Sequence, residues 1–447
     1  MFLFGGTAVL AVVHYYLWRR LVAAPRLSRN VRRAATAALA ILGLSLPAAL
    51  IGARALPFGV ARWLVAVPYV WLGALFWLAV LLAATDLVRA AVVVYGWGQR
   101  EAAPESTASS TTSCVERASR RPPTSPPPAG GGRDPASRSP ASGRRDGGGH
   151  GRAADDWLLE SGAPVDVARR LFLSRVAALG APGIVVGLTG GGAVVAALEP
   201  KLVHLPVALA RLPRALSGFS IVQITDLHLG VTLGGEFLAG VVARVNALAA
   251  DLVAITGDLV DGSVARLAAE VAPLAQLRAR HGVFFVTGNH EYYSGAEPWL
   301  EHLGAMGIRV LRNERVSIEV EGAGFDLVGI DDHSSRGMAA GHGPDLPSAL
   351  AGRVEGRETV LLAHQPRCIA EAAAHDIGLV LSGHTHGGQI WPWNLVVGLA
   401  QPYVRGLHVH GARTQIYVSA GTGHWGPPLR VGTRAEITRV ELRSSAS

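Results

Sequence analysis

Cysteine is nearly absent. The 447 residues include two, Cys114 and Cys368, in segments of unlike composition, so a disulfide framework is not indicated. Charge is scarce too: Asp, Glu, Lys and Arg make up 17% of the chain against 49% hydrophobic residues. That balance argues against a purely soluble protein and for a membrane part. What charge there is divides unevenly, with 21 arginines against 11 acids in residues 1–200 and 20 basic against 22 acidic residues in 201–447. The basic excess therefore belongs to the first part of the chain. The second part has no electrostatic footprint for nucleic acid, and no nucleic-acid partner is expected.

Long hydrophobic runs are present. Met1–Trp18, Ala34–Ala53, Trp63–Thr85 and Val176–Leu198 carry no Asp, Glu, Lys or Arg, and a helix of roughly 20 apolar residues crosses the hydrocarbon core. The third, "WLVAVPYVWLGALFWLAVLLAAT", is the strongest. The fourth is the weakest, because six of its residues are glycine, a poor helix former. The runs lack the ionisable residues that mark transport paths, which weighs against a transporter. Residues 1–98 read as a transmembrane helical module of about three spans, and 156–200 as an amphipathic helix followed by a fourth span. Within the latter, "ARRLFLSR" resembles a twin-arginine export signal or a juxtamembrane basic anchor. Arg19, Arg20, Arg26, Arg29, Arg32 and Arg33 lie between the first two runs, which puts that loop in the cytoplasm. With four spans everything after Leu198 lies outside. If the glycine-rich run does not cross, it lies inside.

Residues 99–155 are rich in Pro, Gly, Ser and Arg and nearly free of large apolar side chains. Such a stretch buries too little to offset its ordering entropy, and it reads as a disordered linker. From about Ser217 the pattern changes to short β-branched runs, "FSIVQIT", "DLVAIT", "GVFFVT", "FDLVGI", "TVLLA", "IGLVL", "QIYVSA" and "EITRVEL", which read as strands. "GEFLAGVVARVNALAA" and "SVARLAAEVAPLAQLRARHG" have helical periodicity. Alternation of this kind is α/β with much parallel sheet.

Polar residues stand at the ends of these strands: Asp226 and His228, then Asp258, then Asn289, His290 and Glu291, then His364, then His384 and His386. Ligands of open α/β sheets bind outside the carboxyl ends of strands, so all five stations point to one crevice. Carboxylates gathered there repel one another unless cations neutralise them. Carboxylate, amide oxygen and imidazole together suit Mn, Fe or Zn better than an all-oxygen site. Seven ligands are too many for one ion with an open position, and fit two divalent ions sharing a bridging carboxylate.

In their order and extended forms, "ITDLHLG", "ITGDLVDG", "TGNHEYY", "LLAHQP" and "LSGHTHGGQIWPW" resemble the calcineurin-like metallophosphoesterase superfamily. They are most similar to its bacterial membrane-associated branch, which includes enzymes similar to UDP-2,3-diacylglucosamine pyrophosphatase. The resemblance covers 215–443 and implies a four-layer α/β/β/α sandwich. It gives one metal to Asp226, His228 and His386, the other to Asn289, His364 and His384, with Asp258 bridging both. It sets His290 near the leaving group and implies attack on phosphorus by a metal-bridging hydroxide.

Other polar residues have open roles. Glu291 orients His290 or caps the following helix; Asp331 and Asp332 form a turn or touch substrate; Asp261 reads as a turn or helix cap. "WPWN" is packed loop or an apolar wall for a lipid-like substrate. No spacing recruits His408, His410 or His424, although His424 stands in a glycine-rich loop that could border the site. Arg430 reads as a surface arginine, with phosphate contact as the alternative. The whole is expected to be an integral membrane hydrolase of a phosphodiester, phosphomonoester or pyrophosphate, with a lipid-linked substrate preferred and the catalytic domain on the extracytoplasmic side. The rival expectation is a membrane-bound metal- or phosphate-binding sensor without catalysis.

Overall fold

The computed structural model describes residues 2–25, 27–101 and 167–445. The expected linker at 99–155 lies outside them from residue 102 on, as do Cys114 and the segment from 156 to 166. Two compact units result, Met1–Ala84 with Ser174–Ser447, and Thr85–Leu173. Among the described residues, the second holds only the end of one helix and the start of the next.

The apolar runs form helices: α1 (Phe2–Leu17), continued by a π-helical turn over Trp18–Ala23, α2 (Arg29–Ala55), α3 (Phe58–Glu101) and α4 (Val167–Ala197). Among the described residues, three stretches are long and apolar enough to cross a bilayer, Arg29–Ala53, Phe58–Val92 and Gly180–Ala197. The glycine-rich run is thus helical despite its six glycines. The α1 run is shorter than expected of a span: its 16 residues rise about 24 Å against a core of about 30 Å.

The α/β part runs β1 (Lys201–Leu209), β2 (Ser220–Ile224), α5 (Gly235–Ala247), β3 (Leu252–Ile255), α6 (Val264–Val271), β4 (Val283–Phe285), α7 (Asn289–Ser294), α8 (Ala296–Ala305) and β5 (Arg309–Val310). It continues with β6 (Glu314–Val320), β7 (Ala323–Gly329), α9 (Leu346–Ala349), β8 (Thr359–Leu362), α10 (Ile369–Ala374), β9 (Leu379–Ser382), α11 (Trp393–Ala400), β10 (Gly406–His410), β11 (Thr414–Val418) and β12 (Glu436–Ser444). One six-stranded sheet has the order β1-β12-β2-β3-β4-β5, the other β10-β11-β9-β8-β7-β6. Strands β2 to β5 are parallel neighbours, as are β7, β8, β9 and β11.

Side chains alternate across each strand, and this builds the layers. Ile221, Leu252, Ala254 and Phe284 of the first sheet meet Phe325, Leu327, Val360, Leu362, Leu379 and Leu381 of the second in one buried cluster. Their neighbours Val222, Ile224, Val253 and Ile255 turn the other way, onto Leu238, Val242, Leu267 and Trp299 of α5, α6 and α8. Val328, Leu361 and Val380 face Leu346, Ile369 and Ala372 of α9 and α10 and the segment between them. These are the four layers of the expected sandwich. The α/β part begins earlier than 215, because β1 pairs with β12 from Lys201 opposite Glu436 onward. Pro206 conceals this strand in the sequence. It is tolerated because β1 is an edge, where one row of amides needs no partner.

Leu381 lies between the sheets and ends two residues before the glycine that leads to His384. Leu381→Ala should destabilise the protein by about 2–5 kcal/mol through the cavity it leaves. Thermal unfolding in detergent followed by tryptophan fluorescence should show a clear fall in midpoint, with exposed Val354→Ala as the unchanged control.

Candidate metal centre

Three neighbouring strands of one sheet and two of the other end at one place. Asp226 and His228 follow β2, Asp258 follows β3, and Asn289 opens α7 after β4. His364 follows β8, and His384 and His386 follow β9. The sheets are tied there by Gln223, whose Nε2 donates to Thr256 Oγ1 at 2.8 Å and to the Ser382 carbonyl at 3.0 Å. The His384 amide donates to both carboxylate oxygens of Asp226, at 2.9 and 3.1 Å.

The chain adopts unusual backbone to bring these groups together. Asp226 (φ 53°), His228 (47°), Asp258 (52°), His384 (73°) and His386 (51°) are all in the left-handed region, which costs a residue with a Cβ about 1–3 kcal/mol and clusters at functional sites. Two glycines permit the approach. A Cβ on Gly383 would strike the Asp226 carboxylate and Thr225, and one on Gly288 would strike Asp258.

The imidazoles are oriented from behind. His364 Nδ1–H donates to the Thr256 carbonyl at 2.8 Å, and His228 Nδ1–H to Asp261 Oδ1 at 3.0 Å. Both Nε2 lone pairs are thereby turned inward. There they meet other nitrogens: His228 Nε2 is 3.0 Å from His386 Nε2, and His364 Nε2 is 3.3 Å from His384 Nδ1. Asp258 Oδ2 lies 3.0 Å from His364 Nε2 and 3.8 Å from His228 Nε2, and Asp226 Oδ1 lies 3.4 Å from His386 Nε2.

Ligand atoms fall into close groups: Asp226, His228 and His386; Asp258, His364 and His384; and His228, Asp258 and His290. Among the described residues, Asn289 Oδ1 is buried without a hydrogen-bond partner. Converging lone pairs and carboxylates, with an orphaned amide oxygen on the residue before His290, are a donor set that cations satisfy, and they fit divalent ions.

Charges within the site follow the same logic. Burial, with the charge of His364 adding to it, holds His384 down to about 3. Burial and His228 hold His386 well below the usual imidazole range. Neutral imidazoles are what a metal requires; His364 differs, because its burial is outweighed by the Asp258 and Asp226 carboxylates, which raise it well above the usual imidazole range. Burial alone would raise Asp258, but the charges of His364 and His290 outweigh it and leave the carboxylate well below its ordinary value. His290 is the opposite case. Burial pulls it down, yet the Asp258 charge and the hydrogen bond to Asp261 carry it up to about 9.

Asp261 has a larger part than a turn residue. Its Oδ1 accepts from His228 Nδ1 and, at 2.6 Å, from His290 Nδ1, joining an expected ligand to the expected leaving-group residue. The signal available in the sequence was its place three residues after Asp258. Glu291 makes no hydrogen bond to the His290 side chain. Its carboxylate accepts from the amides of Gly288, Asp258 and Leu259 at 2.6, 3.0 and 2.7 Å, pinning the Asp258 turn against α7. Arg430 is fully buried rather than on the surface, and donates to the carbonyls of Ala420 and Gly423 at 2.8 and 2.6 Å. It braces the glycine-rich loop behind Asp226. His424 is buried in that loop, while His408 and His410 bond to the Arg405 carbonyl and the Tyr403 hydroxyl. Asp331 pairs with Arg312 at 2.9 Å. Asp332 accepts from the Ser334 amide and Gln365, and both acids line a cavity of about 450 Å³ beside His364 that Arg367 and Ala400 also border.

A family model for calcineurin-like phosphoesterases matches residues 219–388, a range that runs from the start of β2 past His386. An uncharacterized metallophosphoesterase of Helicobacter pylori is 42% identical over 245 residues, 55% of this chain and 64% of its own. A transmembrane protein with metallophosphoesterase domain of Danio rerio is 41% identical over 261 residues, 57% of this chain and 60% of its own. The chain therefore spans less than two thirds of the length of these relatives. An uncharacterized metallophosphoesterase of Bacillus subtilis is 30% identical over 291 residues, 62% of this chain but 99% of its own. A family model over the site-bearing strands, and a relative matched almost end to end, agree with the geometry: the chain belongs to the calcineurin-like phosphoesterase family.

Proposed function

We propose that the α/β part is a membrane-anchored hydrolase of phosphoester or pyrophosphate bonds that works with two divalent ions. The observation that carries this is the convergence of six candidate ligands, Asp226, His228, Asp258, His364, His384 and His386, with the Asn289 amide oxygen buried and, among the described residues, unpaired. Asp226, His228 and His386 would hold one ion, and Asn289, His364 and His384 the other, with Asp258 between them. Mn, Fe or Zn suits this donor mixture. Such ions, when bound, supply Lewis acidity toward a phosphoryl group and make water a better nucleophile near neutral pH.

The chain's own groups supply the rest. His290 is anchored through its amide to Asp258 Oδ1 at 2.8 Å and through Nδ1 to Asp261, which leaves Nε2 free. Held protonated by those carboxylates, it is placed to stabilise charge on the departing oxygen or to give it a proton. Asp261 keeps that ring turned toward the site. A lipid-linked substrate is the preferred class, since the anchor concentrates the domain at headgroups.

The domain is assigned to the extracytoplasmic side. The arginine-rich segment before α2 is cytoplasmic by the positive-inside bias, and crossings by α2, α3 and α4 bring the chain out. This holds whether or not α1 inserts fully.

Purified protein should hydrolyse an aryl phosphodiester or monoester, lose this activity to a chelator and regain it with Mn. Asp258→Asn should lose both activity and tightly held metal. His290→Ala should keep its metal and lose about 10²–10⁴ in kcat. Asp261→Asn should lose about 10–100-fold, as expected for a residue that orients a ligand and a proton donor. Bound metal with no turnover of any ester would instead support a binding role. For the membrane side, an alkaline phosphatase reporter fused after Ser447 should be active. An inactive reporter, with a cytoplasmic one active at the same point, would place the domain inside.

A further inference from the structure

Between His386 and Arg405 the chain carries no charged residue. This stretch leaves β9 through the candidate ligands and forms α11, "WNLVVGLA", none of whose residues is buried. Trp391, Trp393, Leu395, Val396 and Leu399 are all exposed, Leu399 at 89% and Leu395 at 65%. The short helix is therefore apolar and uncovered by the described residues. Soluble surfaces rarely leave so much contiguous apolar area in water, and such patches mark interaction sites.

The surroundings of α11 indicate what covers it. Its first turn rests on α3, one of the helices apolar enough to cross a bilayer. Trp393 meets Phe76 edge-on with ring centroids 6.3 Å apart, and Trp391 lies 6.1 Å from Trp77. Ile390, Leu429 and Val431 join Leu75, Trp77 and Leu78 of α3 and Val185 and Ala193 of α4 in one apolar cluster. The uncovered face thus adjoins helices that are apolar enough to cross a bilayer.

We propose that residues 391–399 form a membrane-inserting element that seats the α/β part on the bilayer crossed by its own helices, with Trp391, Trp393, Leu395, Val396 and Leu399 in contact with lipid. The partner is the phospholipid bilayer itself. Ala400, at the end of α11, borders the cavity beside His364, so the element joins the bilayer surface to the site. This placement stands on the apolar surface and does not depend on the proposed chemistry.

The test uses the full chain with Cys114→Ser and Cys368→Ser, carrying either Leu395→Cys or Leu399→Cys, each labelled with an environment-sensitive fluorophore and reconstituted in phosphatidylcholine nanodiscs. Both positions are exposed, so neither label disturbs a core. Exposed Val354→Cys is the control. The expected result is blue-shifted emission at 395 and 399 that loses most of its intensity when lipids spin-labelled high on the acyl chain are included, with water-like, unquenched emission at 354. Water-like emission at 395 and 399 would overturn the proposal. So would blue-shifted emission that spin-labelled lipid leaves unchanged, which would give the face to a second copy of the chain. Neither readout involves catalysis, so a failed hydrolase reading and a failed insertion are told apart.

Discussion

The structure depends on holding mutually repelling groups within contact distance. Carboxylates and imidazoles from five strand ends meet at one crevice, their lone pairs facing one another across 3.0 and 3.3 Å. Nothing about such an arrangement is favourable to an isolated chain. It is imposed by two sheets whose shared core leaves their strand ends nowhere else to go. Five of the seven candidate ligands take left-handed backbone to reach it. Gly288 and Gly383 stand where any side chain would collide with the carboxylates they pass. Strain of this kind persists only where the surrounding fold over-determines it, and divalent cations are the natural counterweight.

A ring of bonds behind the ligands turns this crowding into a defined geometry. The Thr256 carbonyl fixes His364, Asp261 fixes His228 and His290 together, and Glu291 holds the Asp258 turn by three amides. Arg430, buried and with no carboxylate among the described residues in hydrogen-bond contact, braces the Ala420–Gly423 loop by its carbonyls. Burial lowers its pKa to about 10, which leaves it charged at neutral pH and adds a positive charge behind Asp226. Each of these contacts selects which atom of a ligand faces inward.

Much of this was legible in the sequence, for physical reasons. β2, β3, β4, β8 and β9 are short apolar runs ending in polar residues, and regular spacing between those ends marks successive βαβ units. Asp226, His228, Asp258, His364, His384 and His386 come together at the ends of β2, β3, β8 and β9, and Asn289 opens α7 after β4. What stayed hidden depends on tertiary contact. β1 contains Pro206 and is stabilised by pairing with β12, more than 200 residues away. Asp261 looks like any turn aspartate until two histidines are brought to its oxygen. Arg430 reads as a surface residue because its partners are backbone carbonyls, which leave no trace in composition. The tryptophans around Pro392 read as loop packing or as an apolar wall for a lipid-like substrate, and the structure shows α11 uncovered by the described residues beside the spanning helices.

The central claim is that these donors hold two ions sharing Asp258. It is tested most directly by elemental analysis of the purified protein together with X-ray absorption at the metal edge, comparing wild type with Asp258→Asn. The account predicts two ions per chain with a metal–metal separation of about 3.5–4 Å, lost in the variant. A single ion per chain, or two ions whose spacing does not respond to Asp258→Asn, would contradict it.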